Sequence, residues 1–315
     1  MHELRQNITP DMPRTPYVRR DDRDRSLFYE GVLKLLLCDV HFLSVWTEAC
    51  SGKPYTVIYA GAAPGHHITF LAKLFPACTF ILFDSKPFAQ NLPDNVDARQ
   101  EFFTSDVAQE LAESNDGKEL LLISNIQTCR AKGKTGFRPN YSESDMERQR
   151  GWLRVLRPLV AMLKFGLPWG EGTTEYFNGT LVLQPYSSQA STVSRIIVKR
   201  EQIDLPDKTY DNQEYEEQLA YHNMLGRVRC FDHGIVFPGL DHCYDCSIFV
   251  AVARSYIWRS YPARGIPLLD EAGVVLQFIS EALSSIKSSQ FASPRTVDHF
   301  ESTTARSEAR QWRTD

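Results

Sequence analysis

No apolar run in this chain approaches the roughly 18 consecutive residues that a membrane-spanning helix needs. Its opening stretch, "MHELRQNITPDMPRTPYVRRDDRDR", is too charged for a secretory signal. The expectation is a soluble cytoplasmic chain with no membrane partner. Excess positive charge is missing too: 35 Lys and Arg stand against 39 Asp and Glu, a net charge of -4. Bulk charge therefore does not draw the chain to nucleic acid, and any such contact must be local. Cysteine is sparse and odd in number, seven residues scattered over 315, which fits reduced thiols better than a disulfide framework. No internal repeat and no linker-like stretch interrupts the sequence, so one elaborated domain is expected.

What is present is a 43% hydrophobic composition, ample for a sizeable core. Residues 1–25 alternate charges with prolines and read as an arm ordered only where it docks. From Ser26, a fair N-cap, "SLFYEGVLKLLLCDVHFLSVWTEAC" spaces Leu33, Leu36, Leu37, Val40 and Leu43 as a helix, with Lys34 one residue off that stripe. Strands are predicted at 57–60, 78–84, 119–125, 180–186, 194–200, 226–237 and 244–253. Helices are predicted at 66–75, 105–114, 141–163, over "NQEYEEQLAYHNML", and at 268–286. A Ser, Thr and Arg-rich tail occupies 287–315. Apolar strands alternating with helices imply a mainly parallel sheet covered on both faces.

The run "VIYAGAAPGHHITFL" reads as a buried strand breaking into the tight turn Gly61-Ala62-Ala63-Pro64-Gly65 and then a helix. Gly and Ala put no bulk in the way, so backbone N–H groups there can approach a ligand closely. The next strand ends in Asp84, 23 residues beyond Gly61, where a carboxylate can accept both hydroxyls of a ribose. No Gly-Lys-Ser/Thr follows and a third glycine is missing, which disfavours phosphate-loop and dinucleotide sites. S-adenosylmethionine (SAM) fits better, against the alternative of a purely structural turn.

Other patterns divide between chemistry and packing. His242-Cys243-x-x-Cys246 lacks the second half of a four-ligand zinc site, so thiols on a half-buried strand are expected and no metal site is predicted. His66 and His67 suit cap and packing roles. The loop "CRAKGKTGFR" sets Arg130, Lys132, Lys134 and Arg138 around two glycines, either as a solvated loop or as a contact to an RNA backbone. "LKFGLPWGEG" follows a predicted helix end at Lys164 with Trp169 and Glu171, either a core tryptophan or a ring and acid for a cationic purine.

Taken in order, "LFYEGVLKLLL", "VIYAGAAPG", "FILFDSK", "LLISN", "LVAMLKFGLPW", "VLQPY", "YEEQLAYHN" and the late "YD" are similar to the poxvirus cap-specific mRNA 2'-O-methyltransferase family, whose members also serve as poly(A) polymerase regulatory subunits. The likeness runs from about Leu27 to Tyr256 and implies an α/β SAM-dependent methyltransferase (Rossmann-like) fold over 26–286 with added elements for a cap site. It implies a SAM pocket at Tyr59, Gly61, Pro64, Gly65, Asp84, Lys86 (usually Arg) and Asn125. It also implies a cap site in which Trp169 stands for the usual Phe, Glu171 for the usual Asp, Glu216 matches directly and Tyr17 supplies the opposing ring. Capped mRNA and a poly(A) polymerase catalytic subunit, or another RNA-processing assembly, are the implied partners. A viral source would add the viral factory or virion to the expected locations.

The resemblance breaks at the catalytic quartet. Where the family has Lys, Asp, Lys and Glu around the ribose 2'-hydroxyl, this chain offers Lys34, Asn125, Lys164 and Val193. The base, Lys164, must be neutral to take the hydroxyl proton, which requires burial and a neighbouring cation such as Lys34. Losing a positioned acid or base commonly costs ~10²–10⁴ in rate, and two such losses need not add. A weak cap methyltransferase and a non-catalytic binding or regulatory module both remain open from the residues alone.

Overall fold

The computed structural model describes residues 4–18, 28–47, 53–114, 117–127, 143–260 and 271–290. The predicted N-cap Ser26, residues 19–25 of the arm and residues 291–315 of the tail lie outside them. Helix α1 (Phe28–Trp46) leads into strand β1 (Tyr55–Ala60), then α2 (Ile68–Leu74), β2 (Cys78–Phe83), β3 (Val96–Arg99), α3 (Ser105–Glu113) and β4 (Glu119–Ser124). The second half carries α4 (Glu143–Leu156), β5 (Val160–Gly166), β6 (Thr173–Tyr176), β7 (Thr180–Val182), β8 (Val193–Lys199), β9 (Lys208–Asp211), α5 (Asn212–Tyr221), α6 (Tyr244–Ser260) and α7 (Glu271–Gln290).

A seven-stranded sheet in the order β3-β2-β1-β4-β5-β8-β7 forms the centre, as the fold class predicts. Pairing is parallel from β3 through β5, while β8 runs antiparallel to both β5 and β7. Every residue of β1 is buried, the pattern of a strand covered on both faces. Helices α1, α2, α6 and α7 contact one another, and α3 contacts α4. Because β1 pairs with β2 on one side and β4 on the other, the chain reverses its direction of travel across the sheet there. The crevice beyond the C-terminal ends of those strands is where open α/β sheets bind ligands.

The arm docks as an added edge. Ile8 donates to the Leu181 carbonyl at 3.0 Å, and Leu183 donates to the Gln6 carbonyl at 2.8 Å. The short outer strand β7 thus has its open side partly paired, which blunts an edge that would otherwise recruit other chains.

Several predicted elements are corrected. The helix expected over 141–163 stops at Leu156, because Pro158 disfavours helical geometry at its predecessor and Arg157 turns to φ +44°. Residues 160–166 are then a buried strand, so Lys164 lies on β5 and not at a helix end. The strand expected at 180–186 ends at Val182, ahead of Pro185 and Tyr186 at φ +53°. Residues 227–237, expected as strand, are irregular, with Gly234 at φ +67°. The strand expected at 244–253 is α6, since a short apolar run buried all round does not distinguish the two periods. Strands β3, β6 and β9, the last two paired as a separate ribbon, were not predicted.

Candidate functional site

The glycine turn sits where the topology puts it, at the end of β1. Gly61 and Gly65 take φ +78° and +74°, conformations that favour glycine, and the Ala63-Pro64 bond is cis. A Cβ on Gly61 would lie 2.9 Å from the backbone carbon of Asn125 and from the Ile126 nitrogen, so the turn presses directly on the end of β4. Asp84, half-buried at the end of β2, accepts the Ala63 N–H at 3.1 Å and the Lys86 N–H at 3.0 Å. A carboxylate has about four acceptor sites, so two remain for a ribose. Pro64 and Lys86 are exposed.

Tyr59, expected in the cofactor set, is the penultimate residue of β1. It is fully buried, because alternate positions of a central strand face covered layers on both sides. Its ring meets His67 edge-on at 6.0 Å, and burial followed by the Asp39 charge pushes the phenol well above its usual pKa. His67 in turn binds Asp39 of α1, Nε2 to Oδ2 at 3.0 Å with both side chains buried. The packing role expected for His67 is observed, without a side-chain cap.

Beside the turn, a cavity of about 240 Å³ is lined by Gly31, Lys34, Leu35, Asn125, Gln127, Lys164, Gln184, Ser191 and Val193. All four positions of the expected quartet meet here, although they come from α1, the end of β4, β5 and β8. Among the described residues no carboxylate lines the cavity; carboxamides stand with the two lysines. Lys164 Nζ donates to Gln127 Oε1 at 2.6 Å.

Sequence reasoning missed Arg195. It pairs directly with Lys164 across the antiparallel β5–β8 ladder, and its side chain is buried. Its guanidinium donates to the Ser124 carbonyl at 3.3 Å and to Asn125 Oδ1 at 3.1 Å. The signal was an arginine inside the apolar run "SRIIVKR", but nothing local gave its partner. Burial, then Arg195, then Lys34 bring the Lys164 pKa down to about 7, with Asp145 pulling slightly the other way. Burial and then Arg195 lower Lys34 to about 8. Like charges held together inside a half-dry cavity favour the neutral amines.

This carries a linkage consequence. Both amines bind protons more weakly in the folded chain than in the unfolded one, where lysine titrates near 10.4. The cluster therefore opposes folding below pH ~7, and that opposition fades as pH rises toward 10.

The cap-site candidates converge on a different loop. Trp169, half-buried, donates its indole N–H to Thr192 Oγ1 at 3.1 Å, and Tyr17 donates its hydroxyl to the Ala190 carbonyl at 2.9 Å. Both rings are thus anchored on one short segment. Glu216 on α5 accepts the Gly170 N–H at 3.1 Å, holding the Trp169 loop, and Glu171 is exposed beside it. Arg130, Lys132, Lys134 and Arg138 lie outside the described residues.

A family model described as poly A polymerase regulatory subunit matches residues 13–244. The cap-specific mRNA (nucleoside-2'-O-)-methyltransferase of Myxoma virus (strain Lausanne) is 26% identical over 222 residues, covering 66% of this chain and 65% of that protein. The chain thus matches a little under two thirds of that relative's length. The protein of the same description from Fowlpox virus (strain NVSL) is 26% identical over 213 residues, covering 62% of this chain and 67% of its own. Among solved structures, bluetongue virus VP4, described as a multifunctional RNA-capping production line, overlaps with a TM-score of 0.46 and 11% identity, over 69% of this chain and 33% of that one.

Proposed function

Because this chain belongs to the poly(A) polymerase regulatory subunit family, we propose that it is a cap 2'-O-methyltransferase that binds capped RNA beside SAM, with Lys164 as the general base. The observation that carries this reading is an amine, buried with Arg195 and Lys34 so that its pKa falls to about 7, in a cavity abutting the glycine turn. A base works best when its pKa lies near the working pH. The residues fit the cofactor: the left-handed glycines and the half-buried Asp84 leave backbone approach and acceptor capacity at the sheet's crevice. Gly61, Gly65, Asp84 and Asn125 would hold it, and SAM, when bound, supplies an electrophilic methyl group.

The chain's own residues divide the remaining work. Neutral Lys164 accepts the ribose 2'-hydroxyl proton, and Gln127 holds its Nζ in place. Burial, then Arg195 and Lys34, lower the pKa of that amine so that a large fraction is neutral near pH 7. Asn125 and Val193, at the positions of the family's acids, do not compensate these charges. Asn125 instead orients Arg195. Trp169 stacks on the methylated guanine, Tyr17 closes from the arm, and Glu171 and Glu216 accept its N–H groups. The basic segment holding Arg130, Lys132, Lys134 and Arg138 guides the RNA backbone, and a poly(A) polymerase catalytic subunit is the partner the family relationship supports.

Transfer of label from SAM to capped RNA tests the activity, and its rate is expected to rise with pH through about 7 as Lys164 loses its proton. Asn125→Asp sharpens the test. A carboxylate 3.1 Å from Arg195 offsets the charge that depresses Lys164, so the midpoint of that profile is expected to move up. An unmoved or lowered midpoint would remove Arg195 from the argument.

The absence of any carboxylate among the described residues of the cavity lining favours a second reading, a non-catalytic regulatory subunit that keeps the cap site. Calorimetric titration separates the two: methylated-cap binding without turnover supports the module, and binding of neither cap nor SAM defeats both readings.

A further inference from the structure

The approach to α6 gathers metal-ligating side chains away from the cavity. Asp241, Cys243 and Cys246 offer one ligand atom each, all within 4.8 Å of one another. The pair Cys243-x-x-Cys246 had suggested an incomplete zinc motif. The fold puts Cys246 in the first turn of α6 and Cys243 immediately before it, instead of on a strand, and brings in an acid two residues upstream of Cys243.

The cluster is built. Cys243 enters α6 with its carbonyl accepting the Ser247 N–H at 3.0 Å, so Cys246 lies one turn on, on the same face. Asp241 Oδ1 accepts the Cys243 N–H at 2.9 Å, and His233 Nε2 meets the Asp241 carbonyl at 2.9 Å. The irregular segment before them is tied down at Phe231. Its N–H donates to the His242 carbonyl at 2.7 Å, and its carbonyl accepts from Ser247 Oγ at 2.9 Å. Cys246 is buried, Cys243 half-buried and Asp241 exposed, which leaves one side facing solvent.

We propose that Asp241, Cys243 and Cys246 bind one zinc ion, through two thiolates and a carboxylate, with the fourth position open to water. Zinc–sulfur bonds of about 2.3 Å and a zinc–oxygen bond of about 2.1 Å in a tetrahedron put ligand atoms roughly 3.6–3.8 Å apart, so closing the cluster from separations within 4.8 Å needs a shift of about an ångström. The neighbouring Asp245 is committed elsewhere, in an ion pair with Arg227 and in accepting the Tyr186 N–H at 2.9 Å. Arg227 also donates to the Ser187 carbonyl. The ion would therefore brace the base of the Ser187–Thr192 segment on which Tyr17 and Trp169 are anchored.

The test uses the full chain, purified under reduction, stripped with chelator and equilibrated with Zn²⁺ alone. Plasma mass spectrometry after dialysis is expected to give one zinc per chain, and cobalt substitution a thiolate charge-transfer band. Saturating zinc should raise Tm by about 2–4 °C. Cys243→Ser/Cys246→Ser should abolish binding. Asp241→Ala, a change at an exposed side chain that keeps the fold, should weaken it by at least about tenfold. No retained zinc, equal zinc in both variants, or a Cys243–Cys246 disulfide forming in glutathione buffer despite added zinc would each overturn the proposal.

Discussion

Replacing Lys164 by alanine is expected to lower single-turnover methyl transfer to capped RNA by ~10²–10⁴-fold, the range that removal of a positioned base commonly produces. The ammonium pKa near 7 leaves about half of the side chain neutral at neutral pH, and among the described residues no carboxylate in the cavity lining can take over the proton. Stability is expected to hold or rise slightly. The variant loses the bond to Gln127 but relieves the repulsion with Arg195 and Lys34. Cofactor affinity, read by calorimetry, should change little, because the glycine turn and Asp84 do not contact this amine. A rate within tenfold of the parent would remove Lys164 as the base and leave the regulatory reading in possession of the site.

Gly61→Ala is expected to damage both fold and cofactor binding. A methyl there lies 2.9 Å from two backbone atoms of the Asn125–Ile126 peptide, which cannot swing aside as a side-chain tip can. The left-handed backbone at φ +78° adds roughly 1–2 kcal/mol, and overpacking adds roughly 1–3 kcal/mol. Gly65→Ala is the control. Its φ of +74° carries similar strain, but its Cβ would meet nothing closer than Ile68 Cγ1 at 3.4 Å. Denaturant midpoints should fall markedly further for Gly61→Ala, and titration with SAM should show its affinity lost. Equal midpoints for the two variants would show that the turn does not need its contact with β4.

Much of this site is legible in the sequence. The strand, turn and helix around Gly61 follow from a buried β-branched and aromatic run broken by glycines, and Asp84 follows from the end of the next such run. Lys34 stands out as a charge beside an apolar helical stripe, and it does line the cavity. The errors share one cause. Segments buried on all sides lose the polar alternation that reports period, so α6 read as a strand and β5 as the end of a helix. Pro158 was the available corrective for β5, since a helix rarely runs through the residue before a proline.

Composition and local pattern by themselves settled that this chain builds an α/β sheet with a glycine turn and has no acid near Asn125 or Val193 in sequence, while the family resemblance implied that Lys34 and Lys164 share one site. Only the tertiary structure decided that Arg195 lies opposite Lys164, that Asp241 joins Cys243 and Cys246, and that Tyr17 and Trp169 hang from one loop. Those pairings depend on the register of β5 against β8 and on the packing of segments far apart in sequence. A residue's own neighbours determine its local conformation, but which charge it meets is set by long-range contacts, and these lower the pKa on which the proposed chemistry depends.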